Sequence, residues 1–137
     1  SAGSQPKGVP HPMALKVLSE NSFDVSAFRS KSWDEFSTGT PNAPHLDTVI
    51  TVCDSAAAET CPLWTGTPVR AHWGLPDPAA VTEPETAVRE AFETTFQRLK
   101  ARAAAMAALP IATMDASALQ QALNDIGLTD DAPGAAA

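Results

Sequence analysis

Two thiols and one carboxylic acid are the residues whose types and spacing suit chemistry in this chain. Cys53 closes the run Asp47-Thr-Val-Ile-Thr-Val-Cys53, and seven residues separate it from Cys61, which precedes Pro62. Asp77 stands between Pro76 and Pro78, shortly after Trp73. A thiol at a strand end and before a helix start has its thiolate favoured by the helix dipole. A carboxyl between two prolines sits on a stiff loop, because both rings fix φ. Partial desolvation beside Trp73 and Leu75 would suit it to protonate a leaving group. The set fits thiol-based handling of an oxyanion, with Asp77 as general acid and Cys53 and Cys61 as candidate resolving thiols.

Each residue also has a plainer reading. Cys53 reads equally well as a buried cysteine at a strand end. Spacing alone favours a solvated Pro-Asp-Pro turn for Asp77. A Cys53–Cys61 disulfide needs their Cα atoms within about 7 Å, so the intervening segment must loop or partly unwind. His45 and His72 match no zinc spacing, and no metal is expected. Arg70, and the pair Arg29 and Lys31, read as surface cations before they read as anion ligands. Trp33, Trp64 and Trp73 read as core or cleft wall.

These residues need elements to position them. The chain has 137 residues and a net charge of −7. That length suits one domain. The acidic balance argues against nucleic acid, whose partners present basic surfaces. No apolar run reaches the ~18 residues of a membrane span. Two cysteines make no disulfide framework, and the expected compartment is the reducing cytoplasm.

The best strand is Leu46–Val52, a β-branched run that does not alternate strictly. It predicts a strand buried on both faces of a parallel sheet. Val69, Ala71 and Trp73 alternate with Arg70 and His72, which predicts a second short strand. Pro12 to Glu20 reads as a helix with Pro in its first turn. Ser32-Trp-Asp-Glu35 and Thr82-Glu-Pro-Glu85 read as capping boxes. The second opens a long helix closed by Pro110, with Val88, Phe92, Phe96, Leu99, Ala103 and Met106 as its core stripe. Glu85 and Arg89 pair at i,i+4. Asp54 caps a short helix over Ser55 to Thr60. Ser117 to Ile126 is the last helix, with Asp115 as cap and Gly127 at its C-cap. Residues 1–127 form the domain, and 128–137 read as a disordered tail.

Read in order, Ser1-Ala-Gly-Ser4, Arg29-Ser-Lys-Ser-Trp-Asp-Glu-Phe36, Val52-Cys-Asp54, Cys61-Pro62 and His72-Trp-Gly-x-x-Asp77-Pro78 resemble the arsenate reductases built on the low-molecular-weight tyrosine phosphatase fold. The likeness runs from Ser1 to about Gly127. It implies a three-layer α/β domain with a four-stranded parallel sheet. It also implies a Cys-x5-Arg anion loop whose Cys attacks the oxyanion, and an Asp-Pro loop whose acid, here Asp77, protonates the leaving oxygen. Two later thiols, here Cys53 and Cys61, would carry the disulfide away. No cofactor is implied beyond an external thiol reductant, thioredoxin or glutaredoxin with glutathione. With the resemblance, the catalytic reading of Asp77 moves ahead.

The sequence departs from that pattern. It contains no Cys-x5-Arg, since Glu59 and Thr67 stand six residues after Cys53 and Cys61. Ser1 matches a point just after the family's second strand, so the fold is expected to be incomplete at its N-terminus. The gap between the two cysteines is one residue longer than the thioredoxin-linked enzymes carry. Ala79-Ala80 follows the Asp-Pro pair where the phosphatases place Tyr, and Tyr is absent. This favours a small inorganic anion over phosphotyrosine. Asn21-Ser22 stands where a helix-ending Gly is usual. The expectation is an arsenate reductase-like protein, inactive as this chain alone. A low-molecular-weight protein phosphatase and a non-catalytic regulatory or binding module are the alternatives. The 46–52 strand should carry an open edge, covered by a second copy, a swapped segment or residues outside these 137.

Overall fold

The structure is a computed structural model that describes residues 1–53, 64, 66 and 68–129. Helix α1 spans Pro12–Glu20, as its spacing predicts. His11 caps it, Nδ1 accepting the Met13 N–H at 3.0 Å. Its C-terminus closes by bonds from Ser22 N–H to the Ser19 carbonyl and from Phe23 N–H to the Leu18 carbonyl, at 3.1 and 3.0 Å. That is the Schellman closure, which wants a left-handed residue at its centre. Ser22 fills the place with φ 70°.

The first capping box forms by half. Ser32 Oγ accepts the Asp34 N–H at 3.1 Å at the start of a short 3-10 turn, Trp33–Phe36. Glu35 does not reach back, because its carboxylate accepts two bonds from Arg29, at 2.6 and 2.9 Å.

Strand β1 (Thr48–Thr51) and strand β2 (Val69–His72) pair in parallel, Thr48 opposite Val69 and Thr51 opposite His72. The strand predicted over 46–52 is therefore shorter. It is also half-buried at all four positions instead of buried on both faces. Ile50, Val69, Ala71 and Trp73 pack with Leu119 and Leu123 of the last helix. Val49, Thr51, Arg70 and His72 instead line an open groove of about 290 Å³. Among the described residues the sheet has two strands, where the resemblance implies four.

Helix α2 is Glu85–Ala107. The predicted second capping box is absent. Pro84 holds the N-cap with no side-chain bond, and Thr82 lies too far upstream for its hydroxyl to serve the first turn. Arg89 bonds Glu20 of α1 at 2.8 Å and lies 3.7 Å from Glu93; the Glu85 pairing is not found. The apolar stripe serves two cores. Val88, Phe92 and Phe96 meet Met13 and Val17 of α1, while Leu99 and Met106 meet the sheet cluster. Ala103, predicted in the stripe, is exposed. Arg102 takes the core-facing place at 2% exposure, its Nη2 donating to the Thr129 carbonyl.

Helix α3 is Ala116–Gly127, and Asp115 Oδ1 accepts the Ala118 N–H at 2.8 Å. The C-cap is Leu128, so Gly127 is the last helical residue, not a left-handed cap. It is needed for closeness: a Cβ there would strike the His72 carbonyl and come 2.8 Å from Trp73 Cδ1. The whole is a small α/β domain, a parallel pair flanked by helices. The predicted helix over 55–60 with its Asp54 cap lies outside the described residues, as do Cys61 and residues 130–137 of the predicted tail.

Candidate functional site

Parallel pairing sends both strands out at the same end, and that end gathers the candidate residues. The ladder continues past the strands, with Trp73 N–H on the Thr51 carbonyl at 2.7 Å and Leu75 N–H on the Val52 carbonyl at 3.0 Å. Cys53 follows Val52, and the Pro76-Asp77-Pro78 loop follows Leu75. The sequence separation of Cys53 and Asp77 is thus closed by backbone pairing.

Cys53 is half-buried. Asp77 is exposed, so the expected partial desolvation does not occur. The reason lies in Trp73, which turns inward and donates its indole N–H to the Leu123 carbonyl at 2.8 Å instead of covering the acid. Asp77 Oδ1 accepts the Ala79 N–H at 2.9 Å, and its carbonyl accepts the Ala80 N–H at 3.1 Å. These bonds cap the 3-10 turn Pro78–Ala80 and fix the carboxylate on the loop. Cys61 lies outside the described residues, and so does its pairing with Cys53.

An open groove of about 330 Å³ runs between the Asp77 loop and α2. Its helical wall carries Glu90, Thr94 and Arg98, one turn apart on one face. The sequence reading missed these three, although their i, i+4, i+8 spacing was visible. The groove joins an exposed acid to a cation, a threonine hydroxyl and the apolar flanks of two prolines. That mixture can receive a polar ligand beside Asp77.

The remaining candidates serve the fold. His72 Nδ1 shares a 2.6 Å hydrogen bond with Thr51 Oγ1 across the strands, and its N–H reaches Asn124 Oδ1 at 3.3 Å. His45 Nε2 lies 3.4 Å from Asp47 Oδ1. Among the described residues no three His, Cys, Asp or Glu side chains converge as a metal set. Arg29 is engaged by Glu35, and the Lys31 carbonyl accepts the Gly3 N–H at 3.1 Å. Arg70 is exposed on the 290 Å³ groove. Trp33 and Trp64 meet edge to face at 5.8 Å. No described helix is long and apolar enough to cross a membrane.

Comparison with known proteins gives this arrangement its kinship. Arsenate reductase 2 of Staphylococcus epidermidis strain RP62A is 32% identical over 104 residues, covering 74% of this chain and 73% of that protein. The arsenate reductase of S. epidermidis strain ATCC 12228 matches to the same extent. The family described as low molecular weight phosphotyrosine protein phosphatase matches residues 1–122. With that match along most of its length, and with distant homology to arsenate reductase sequences, this chain belongs to the low molecular weight phosphotyrosine protein phosphatase family.

Proposed function

We propose that the chain is the rear part of a thiol-dependent arsenate reductase scaffold, acting in the reducing cytoplasm on a small oxyanion. The observation that supports it most is the convergence of Cys53 and the Pro76-Asp77-Pro78 loop at the carboxyl end of the parallel pair. In this reading a thiolate outside these residues attacks arsenic, and Asp77 protonates the oxygen that departs as water. Cys53 and Cys61 then take over the sulfur–sulfur bond. Two thiols oxidised to one disulfide supply the two electrons that take As(V) to As(III). A thiol-redox protein or glutathione restores the disulfide to thiols, and no resident cofactor is required. The absence of Tyr from the loop supports an inorganic anion over phosphotyrosine.

The missing Cys-x5-Arg favours a second reading, a non-catalytic module that keeps the scaffold. An arsenate-dependent thiol oxidation assay separates the two. It should compare these 137 residues with the protein extended by its upstream reading frame. The first reading expects no turnover from the 137 residues and turnover from the extended protein, lost in Cys53→Ser and reduced about 10²–10⁴-fold in Asp77→Asn, as for loss of a general acid. An extended protein with no Cys-x5-Arg and no turnover leaves the module.

A further inference from the structure

The outer edge of β1 meets no strand among the described residues. The carbonyls of Asp47 and Thr51 accept β2 N–H groups. Strand alternation therefore turns the backbone groups of Thr48 and Ile50 to the other side. Natural edges are protected by Lys, Pro, a bulge or an inward charge. Thr48-Val-Ile-Thr-Val52 carries no charge and no Pro, and Val52 is 45% exposed at its end.

We propose that this edge pairs with the same edge of a second copy of the chain, antiparallel about a two-fold axis through Ile50. The symmetry fixes the register. A two-fold axis perpendicular to the sheet keeps each face on its own side, so residues of equal parity meet. Ile50 pairs with Ile50 of the copy, Thr48 with Val52, and Val49 with Thr51. Ile50 then stays on the helix-covered face in both protomers, while a one-residue slip would turn it to the groove face. Ile50 exchanges two N–H···O bonds with its copy, and the exposed Val52 is covered by Thr48. Charge selects this direction. A parallel pairing in register would set Asp47 against Asp47 in a chain of net charge −7. The antiparallel one puts the two carboxylates at opposite ends of the pairing, each beside a Cys53. The contact is isologous and closes at two copies. None of this depends on the catalytic reading.

Sedimentation equilibrium on the full chain, with amide hydrogen exchange at several concentrations, tests it. The expected result is a monomer–dimer equilibrium in which the Thr48 and Ile50 amides exchange more slowly as concentration rises. Thr48→Pro places a ring where β2 uses no N–H. Val52→Lys puts a charge on an exposed residue. Each should raise the dissociation constant by about tenfold or more, equivalent to ~1.4 kcal/mol, with unchanged circular dichroism. A monomer whose Thr48 and Ile50 amides exchange freely overturns the proposal. So does a monomer in which they are protected, because the edge is then covered within one chain. A dimer indifferent to both variants also overturns it, by placing the contact elsewhere.

Discussion

At Ser22 and Gly127 the ordinary rules for glycine give opposite answers in one molecule. Ser22 holds φ 70° in the turn that closes α1. A left-handed conformation costs a residue with a Cβ about 1–2 kcal/mol. Ser22→Gly is expected to stabilise the protein by about 1 kcal/mol, read as a higher denaturant midpoint at unchanged slope. Gly127 lies inside a helix, where glycine is worth about 1 kcal/mol less than alanine. Propensity alone would make Gly127→Ala stabilising. The added methyl, however, would meet the His72 carbonyl and Trp73 Cδ1, both fixed by the end of β2. Overpacking of that kind costs roughly 1–3 kcal/mol, so Gly127→Ala is expected to lower the midpoint. A stabilised Gly127→Ala protein would mean that α3 does not approach β2 this closely.

Between elements, the described ion pairs are exposed and tie neighbouring segments together. Arg89 joins α2 to Glu20 of α1, and Arg29 joins the preceding loop to Glu35 of the 3-10 turn. Hydrogen bonding from the Arg89 guanidinium holds Glu20 below the usual carboxylate range, and Arg29 does the same for Glu35. A carboxylate with a depressed folded value binds fewer protons than in the unfolded chain. Its stabilisation is present above the unfolded Glu value of about 4.3 and is lost as pH falls through the folded value. Acid titration should therefore erode the wild-type midpoint more than that of a double Arg29→Gln, Arg89→Gln variant, the two curves meeting at low pH. High salt should shrink the gap at neutral pH, because exposed pairs are screened. The periodic and capping signals behind these elements were legible in the sequence: α1 has its predicted bounds, α3 its Asp115 cap, and both strands form. What was hidden depends on partners. Arg102 sits in the α2 stripe, but no hydropathy pattern selects an arginine as a core residue, so the neighbouring Ala103 was read in its place. Thr82 looked like a cap because helix starts are fixed by geometry, which Pro84 moved to Glu85. The Glu90–Thr94–Arg98 wall became a groove only once β2 carried the Asp77 loop across to α2. The open face of β1 depended on how much of the sheet the helices cover.

Over the whole molecule, apolar burial divides between two clusters. Met13, Val17 and Phe92 form one between α1 and α2. Ala71, Trp73, Leu119 and Leu123 form the other between β2 and α3, with Ile50 packed against it. No residue belongs to both, and α2 alone spans them, Phe92 and Phe96 on one side and Leu99 and Met106 on the other. Whether the domain folds as one unit thus rests on the rigidity of that helix. Ile50→Val removes one methylene from the sheet cluster at a cost of about 0.5–1.5 kcal/mol. Val17→Ala removes two carbons from the other, about 1.6 kcal/mol at roughly 0.8 kcal/mol each. Substitutions that share no partners add to within about 0.5 kcal/mol. If α2 transmits unfolding from one cluster to the other, the double variant shows the summed loss in one transition, with the same midpoint by circular dichroism and by Trp fluorescence. Two transitions, the Trp signal following the Ile50 change and the helical signal following the Val17 change, would mean that the α1–α2 pair melts apart from the sheet and its helix. The site end would then persist after the first melting step, because Cys53 and the Asp77 loop are joined through the β1–β2 ladder and not through α1.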